Sequence, residues 1–151
     1  MKIYLAGPLF SEAEQNWLRR TKRRIVELAN QLNKKVDVVW PYELISDEEI
    51  NSFGAKAKSE ISSRCTAHLE ISDILVALLD GSQVDDGTAW EIGYFFAKRP
   101  VGSPIIGIRT DFRNAGDTHY SKVNAMIEGS CDKIVGSSDE LCETLSELLK
   151  K

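Results

Sequence analysis

The sequence is poor in the residues that build metal sites and disulfide frameworks. Its 151 residues include three cysteines and two histidines. The cysteines, Cys65, Cys131 and Cys142, are odd in number and form no Cys-x-x-Cys pair, and the histidines complete no metal-ligand spacing. We therefore expect free thiols and no metal site.

The sequence also lacks a long apolar run and an excess of positive charge. No run approaches the roughly 18 residues of a membrane helix, and MKIYLAGPLF holds too few apolar residues before Gly7 for a signal-peptide core. The formal net charge is −4, whereas binding to nucleic acid or an anionic membrane usually needs a basic face. We expect a cytoplasmic protein with small-molecule ligands, and neither a nucleic-acid polymer nor a membrane as partner.

What is present indicates a compact α/β protein. A hydrophobic content of 42% over this length suits one domain across residues 1–151. Apolar runs predict five strands, at Lys2–Ala6, Val36–Trp40, Asp73–Leu79, Pro104–Ile108 and Ile134–Val135. Capping boxes predict helix starts at three pairs, Ser11 with Glu14, Ser46 with Glu49, and Ser137 with Glu140. The helix after Ser46 is expected to continue towards Glu70, and a further helix to run from about Thr88 to Lys98.

This alternation predicts a doubly wound, flavodoxin- or Rossmann-like fold, with a five-stranded parallel sheet and helices on both faces. Such sheets bind ligands beyond the carboxyl ends of their strands. The loop after the third strand holds the densest acidic cluster, Asp80, Asp85 and Asp86, with Glu91 just beyond it. We expect Glu91 near the first turn of its helix, where the helix N-terminus favours an ionised carboxylate able to act as a nucleophile. The alternative is that these acids only cap the helix.

The text around this cluster, DDGTAWEIGYFFAKRP, strongly resembles the signature of the nucleoside 2-deoxyribosyltransferase family. Four further stretches fall in the order and spacing of that family: KIYLAGPLF, SDILVALLDG, PIIGIRTDFR and the tetrapeptide NAMI. The resemblance implies transfer of 2-deoxyribose between nucleobases, with a 2′-deoxynucleoside and a free base as substrates. It makes Glu91 the nucleophile of a covalent, β-retaining mechanism, Asp85 the group that helps to protonate the departing base, and Tyr4 the residue that holds the nucleophile. No cofactor is then needed, because side chains supply every role.

The resemblance also implies a set of substrate-binding residues. Asn124 matches an asparagine that reaches into a neighbouring subunit's site, which implies a homo-oligomer, and Met126 is a candidate for the same pocket. Gly7 and Pro8 are expected to shape the loop over the base. Phe10 and Trp40 are candidate stacking surfaces or ordinary packing residues. Asp80 and Gly87 complete the predicted substrate-binding set.

One position departs from the family pattern. Many members carry an acidic residue eight positions before the aspartate that starts the central strand, and here that residue is Cys65. Either another group such as Glu70 or Asp80 recognises the base, or base preference is altered, or activity is weak.

Two other functions remain open at this point. The first is hydrolysis of 2′-deoxynucleoside 5′-monophosphates by the same glutamate chemistry. Glu12 and Glu14 beside Ser11 argue against it, because they would repel a phosphate at the first loop. The second is a catalytically silent nucleotide-binding module, since a fold does not fix a function.

Overall fold

The structure is a computed structural model, and it describes residues 1–150. All five predicted strands form one parallel sheet in the order β2-β1-β3-β4-β5. They are β1 Lys2–Ala6, β2 Asp37–Val39, β3 Ile74–Leu78, β4 Ile105–Ile108 and β5 Lys133–Val135. The predicted fold class is confirmed, and this order is that of flavodoxin-like sheets.

The helices cover both faces of the sheet. They are α1 Glu12–Gln31, α2 Asp47–Phe53, α3 Ala57–Glu70, α4 Asp86–Lys98, α5 Ala125–Ser130 and α6 Ser138–Lys150. Short 3-10 turns at Pro41–Glu43 and Gly54–Lys56 flank α2. Within residues 1–150 none of the helices combines the length and the apolarity that crossing a lipid bilayer requires.

Side chains alternate across the sheet and build two cores. Ile3 and Leu5 of β1 pack with Leu18 and Ile25 of α1, and α6 adds its apolar side to the same core. Tyr4, the residue between them, faces the opposite way, into a core that includes Ile92 and Phe95 of α4 and Leu69 of α3. The alternation therefore directs Tyr4 towards α4.

Local sequence signals explain where most helices begin. Ser11 and Ser46 both form complete capping boxes, with Glu14 and Glu49 respectively. The expectation of one continuous helix from Ser46 towards Glu70 is wrong. The chain breaks at Gly54, whose φ of +52° is a conformation that favours glycine, and α3 starts afresh three residues later.

Two helices differ from the sequence-based expectation at their starts. Asp85 caps α4, so this helix begins at Asp86 rather than near Thr88. The short helix α5 was not predicted, and it begins after Asn124, whose side chain accepts a hydrogen bond from the amide of Met126 at 3.0 Å.

Candidate active site

A cleft of about 540 Å³ opens at the carboxyl end of β1. Its lining comes from the loop after β1, from residues between 41 and 65, which include α2, and from the start of α4. Apolar side chains make up much of the lining: Leu9, Phe10, Pro41, Ile45, Ile50 and Ile61. Three acidic side chains, those of Asp47, Asp85 and Glu91, also line the cleft, and no lysine or arginine of residues 1–150 does.

Tyr4 and Glu91 form the central contact of this site. Tyr4 is fully buried on β1, and its hydroxyl donates a hydrogen bond to Oε1 of Glu91 at 2.5 Å. Burial, with the nearby Glu91 charge, raises the pKa of the Tyr4 hydroxyl far above its usual value, so this group remains a donor. The other carboxylate oxygen of Glu91, Oε2, has no hydrogen-bond partner among residues 1–150 and is free to meet a ligand.

The expected charge state of Glu91 is corrected by the structure. Because α4 begins at Asp86, Glu91 is its sixth residue and lies in the second turn, where the influence of the helix N-terminus has declined. Burial raises the pKa of Glu91 to about 7, the Tyr4 hydrogen bond opposes this rise, and the Asp85 charge adds to it. Near neutral pH this group is therefore balanced between its acid and its carboxylate.

Asp85 both caps α4 and lines the cleft, so its capping role does not exclude contact with a ligand. Its Oδ2 accepts hydrogen bonds from the amide and the hydroxyl of Thr88, each at 2.9 Å. Its Oδ1 has no partner among the described residues. Gly87 lines the cleft beside it, and a Cβ there would lie 3.3 Å from Oδ2 of Asp85. Asp86 instead points to its own neighbour, accepting from the amide of Gly87 at 2.8 Å.

The loop after β1 contributes two of its three expected residues to the lining. Gly7 lines the cleft, but its lack of a side chain is required by packing behind the loop, since a Cβ would lie 2.8 Å from Cδ2 of Leu18. Phe10 is 83% exposed and borders the cleft. Pro8 is half-buried and shapes the turn between them without lining the cavity.

Trp40 does not line the cleft, which corrects its assignment as a stacking surface. It is 1% exposed and packs into the core on the α1 side of the sheet, with the guanidinium of Arg19 5.7 Å from its ring centre. Tyr42, which the sequence analysis missed, stacks on Trp40 at 4.8 Å and lines the cleft. The run Trp-Pro-Tyr could have predicted this position for Tyr42, because Pro41 turns the chain after β2 and brings the second aromatic ring to the surface.

Asp80 is also corrected, because its carboxylate is fully occupied by the protein. It accepts hydrogen bonds from the amides of Thr110 and Asp111, at 2.6 and 2.9 Å, and from the Thr110 hydroxyl. It thereby ties the loop after β3 to the loop after β4. Glu70 is no substitute, because it accepts from the Tyr94 hydroxyl at 2.6 Å and does not line the cleft.

Arg109 is a second residue that the sequence analysis missed. It is 5% exposed, and its guanidinium donates to the carbonyl of Leu79, to that of Gly81 at 3.1 Å and to that of Arg113 at 2.8 Å. These hydrogen bonds hold the backbone at Leu79 and Gly81, where the loop that leads to Asp85 begins. A basic residue directly after the buried strand IIGI was the available sequence signal.

Cys65 lies in the cleft beside the central pair. Its thiol is close enough to Tyr4 and Glu91 to affect the Tyr4 hydroxyl and to be affected by both groups. Burial raises the pKa of the Cys65 thiol, so it is neutral at physiological pH. The position that is acidic in many family members is thus a neutral, half-buried group here.

Asn124 and Met126 lie outside the cleft of their own chain. Asn124 caps α5 with its side-chain oxygen, and its amide nitrogen lies 3.4 Å from Oδ1 of Asp117. Met126 is 79% exposed on the first turn of that helix. A role for either residue in a neighbouring subunit stays a prediction.

Comparison with known proteins relates the chain to one family. The family model described as nucleoside 2-deoxyribosyltransferase matches residues 3–126. An uncharacterized protein of Ureaplasma parvum serovar 3 is 30% identical over 158 residues, covering 99% of this chain and 98% of that protein. A conserved protein of Enterococcus faecalis has 28% identity and a TM-score of 0.71, with 99% of each chain covered. A 2-deoxyribosyltransferase of Bacillus psychrosaccharolyticus shares the fold, with 22% identity, a TM-score of 0.72 and coverage of 93% of this chain and 90% of that one.

Proposed function

Because the chain belongs to the nucleoside 2-deoxyribosyltransferase family, we propose that it transfers 2-deoxyribose from a 2′-deoxynucleoside to a free nucleobase through an ester on Glu91. The observation that carries this proposal is the hydrogen bond from Tyr4 to Glu91 inside a cleft. A carboxylate held by one oxygen presents the other in a fixed direction, which is what a nucleophile needs.

In the first step, Oε2 of Glu91 attacks the anomeric carbon while the bond from that carbon to the base nitrogen breaks. The bonding electrons leave with the base, and a proton must reach it. Asp85 has one oxygen free of protein contacts and caps the helix that carries Glu91, so we assign it the role of passing a proton from solvent to the departing base. Forming a neutral ester removes a charge that burial of Glu91 disfavours, which lowers the barrier to this step.

In the second step, an acceptor base attacks the same carbon from the face that the first base left. The carbon–Glu91 bond breaks, the carboxylate is restored, and the acceptor loses a proton to solvent by way of Asp85. Two inversions give overall retention of the β configuration. Water in place of the base would give hydrolysis, and the enzyme's balance between the two depends on how well the base fills the apolar cleft.

Two observations favour nucleosides over their 5′-monophosphates as substrates. First, Asp47, Asp85 and Glu91 are the charged residues that line the cleft, so a phosphate dianion would enter a field of its own sign. Second, the N-terminus of α1 already has its own cap: Ser11 accepts from the amide of Glu14 at 3.2 Å, and Glu14 accepts from that of Ser11 at 2.8 Å. This helix end therefore offers little to a phosphate.

We also propose that copies of the chain assemble so that Asn124 of one subunit faces the sugar in another. The support is that Asn124 and Met126 are exposed and lie outside the cleft of their own chain. Sedimentation of the protein tests the assembly. Mixing Glu91→Gln subunits with Asn124→Ala subunits tests sharing of the site, because hybrid oligomers should regain activity that neither parent has.

The main test is chromatography of a reaction that contains the protein, 2′-deoxyinosine and adenine. Formation of 2′-deoxyadenosine supports transfer, and Glu91→Gln should abolish it. Release of hypoxanthine without an acceptor indicates hydrolysis. Reaction of 2′-deoxyinosine 5′-monophosphate alone would replace this proposal with the monophosphate hydrolase, and ligand binding without any turnover would replace it with a silent binding module.

A further inference from the structure

The side chains that line the cleft offer many hydrogen-bond acceptors and few donors. The hydroxyl of Ser46 accepts from the amide of Glu49 at 3.2 Å and lies 3.4 Å from that residue's carboxylate. The hydroxyl of Thr88 donates to Asp85 at 2.9 Å. Both hydroxyl groups are therefore engaged within the protein, and neither is available to donate to a ligand.

The remaining polar groups do not supply a strong donor. The Tyr42 hydroxyl can both donate and accept, so it does not discriminate between the two kinds of ligand group. The Cys65 thiol is only a weak donor. The free carboxylate oxygens of the cleft are Oε2 of Glu91, Oδ1 of Asp85 and both oxygens of Asp47.

Asp47 is the acid of the cleft that the protein leaves free. Within residues 1–150 its carboxylate takes part in no hydrogen bond and no ion pair, whereas Asp85 is held by Thr88 and Glu91 by Tyr4. Asp47 starts α2, on the part of the lining formed by residues 41–61, while Glu91 belongs to α4. A base whose sugar lies against Glu91 therefore occupies a cleft that Asp47 also lines.

A carboxylate accepts hydrogen bonds and cannot donate them when ionised. Adenine and cytosine carry an exocyclic amino group, which donates, at the position where hypoxanthine and uracil carry a carbonyl oxygen, which accepts. An amino group facing Asp47 gains a charge-assisted hydrogen bond. A carbonyl oxygen at the same place meets another acceptor, with no proton between them and no strong donor side chain nearby to compensate.

We infer that Asp47 reads the exocyclic amino group of the base, so that this cleft selects amino-bearing bases over their oxo counterparts. The inference rests on the proposed function for its substrate class. It assigns base recognition to Asp47 on α2. Cys65 on α3, at the position that is acidic in many family members, carries no charge and cannot take that role.

The test compares kcat/KM for 2′-deoxyadenosine and 2′-deoxyinosine, and for 2′-deoxycytidine and 2′-deoxyuridine, in the parent protein and in Asp47→Asn. The amino-to-oxo ratio should fall by about tenfold in the variant, because an amide can donate as well as accept. Comparing ratios between proteins cancels the intrinsic reactivity of each base. Glu48→Gln is the matched control, since it removes the same charge from the next residue of α2, outside the cleft, and should leave the ratio unchanged.

Calorimetric binding of free adenine and free hypoxanthine to the same three proteins keeps the test independent of turnover. Adenine should bind the parent protein more tightly than hypoxanthine, and Asp47→Asn should remove most of that difference. An unchanged ratio in Asp47→Asn, or an equal loss in Glu48→Gln, overturns the inference. If no nucleoside reacts but the preference for adenine depends on Asp47, the proposed transfer fails and base recognition by Asp47 stands.

Discussion

The hydroxyl of Tyr4 lies 2.5 Å from Oε1 of Glu91, although the two residues are 87 positions apart in the sequence. This contact joins the first strand of the sheet to the helix that follows the third. Burial raises the pKa of Glu91, and the hydrogen bond from Tyr4 partly offsets this rise. The protonation state of Glu91 near neutral pH thus depends on the balance between burial and the Tyr4 hydroxyl group.

Replacing Tyr4 with Phe should therefore move the pH profile as well as the rate. A nucleophilic Glu91 must be ionised, so kcat/KM of the parent protein should rise with pH through about 7. Tyr4→Phe removes the effect that lowers this pKa, and the rising limb should shift to higher pH. We expect kcat/KM at pH 7 to fall by roughly 10–100-fold. A fall in rate with an unshifted profile would show that Tyr4 acts on the substrate instead.

Glu91→Gln should stabilise the protein at high pH while it abolishes turnover. A carboxyl whose pKa rises from 4.5 to about 7 on folding holds more protons when folded, so its contribution to stability declines as pH rises across that interval. The variant should gain roughly 1–3 kcal/mol at pH 8 and nothing near pH 4. Urea unfolding at both pH values measures this difference. An equal gain at both would trace it to packing rather than to charge.

Tyr42 should supply the aromatic platform of the cleft. Its ring is stacked on the buried Trp40 at 4.8 Å, with 25° between the ring planes, so it is held in place before a base arrives. Tyr42→Ala should raise KM about tenfold, because stacking on a base contributes roughly 1–3 kcal/mol. Tyr42→Phe keeps the ring and should remain near the parent value. Equal defects in the two variants would assign the effect to the hydroxyl.

Arg109 should matter for both stability and rate, although it does not line the cleft. Arg109→Lys cannot reach the carbonyls of Leu79, Gly81 and Arg113 together, so we expect a loss of about 2–3 kcal/mol and a lower kcat/KM. Arg113→Lys is the control. The Arg113 side chain is 62% exposed and pairs with Asp111, and its replacement should change the free energy of unfolding by less than about 1 kcal/mol.

Two glycines should respond in opposite directions to the same substitution. A Cβ on Gly107 of β4 would lie 2.5 Å from Cδ1 of Leu79, so Gly107→Ala should destabilise the protein by about 1–3 kcal/mol. A Cβ on Gly93 of α4 would meet nothing within 4 Å, so Gly93→Ala should stabilise it by about 0.5–1 kcal/mol. Thermal unfolding of both variants measures this contrast, and the same sign in both would contradict it.

The sheet was predictable because its evidence is local. The run from Ile74 to Leu78 is buried at every position, so it reads as continuous apolar sequence without reference to any partner. The capping boxes at Ser11 and Ser46 are equally local, since each involves residues three positions apart. The family resemblance then predicted Tyr4 and Glu91 as partners, which spacing alone could not have joined.

The errors concern properties that depend on distant parts of the chain. In the sequence Asp80 looks like a free loop carboxylate. In the structure it accepts a hydrogen bond from the amide of Thr110, 30 positions later. From its sequence context Trp40 was a candidate stacking surface, but its side chain packs in the core on the α1 side of the sheet. Burial is the main cause of the raised pKa of Glu91. Burial depends on how the sheet and its two helix layers pack, so the spacing of acidic residues could not predict it.

The glycine break at Gly54 lies within the segment that connects β2 to α3. Tyr4, Asp85 and Glu91 belong to the sheet and to the helix packed on it, whereas residues 41–56 form a peripheral excursion between β2 and α3. Residues 41–56 contribute no strand to the sheet, so we expect substitutions there to leave the strand register intact. Under the inferred role of Asp47, one contiguous segment determines which base is accepted, so exchanging residues 41–56 as a cassette should alter base preference without redesign of the sheet.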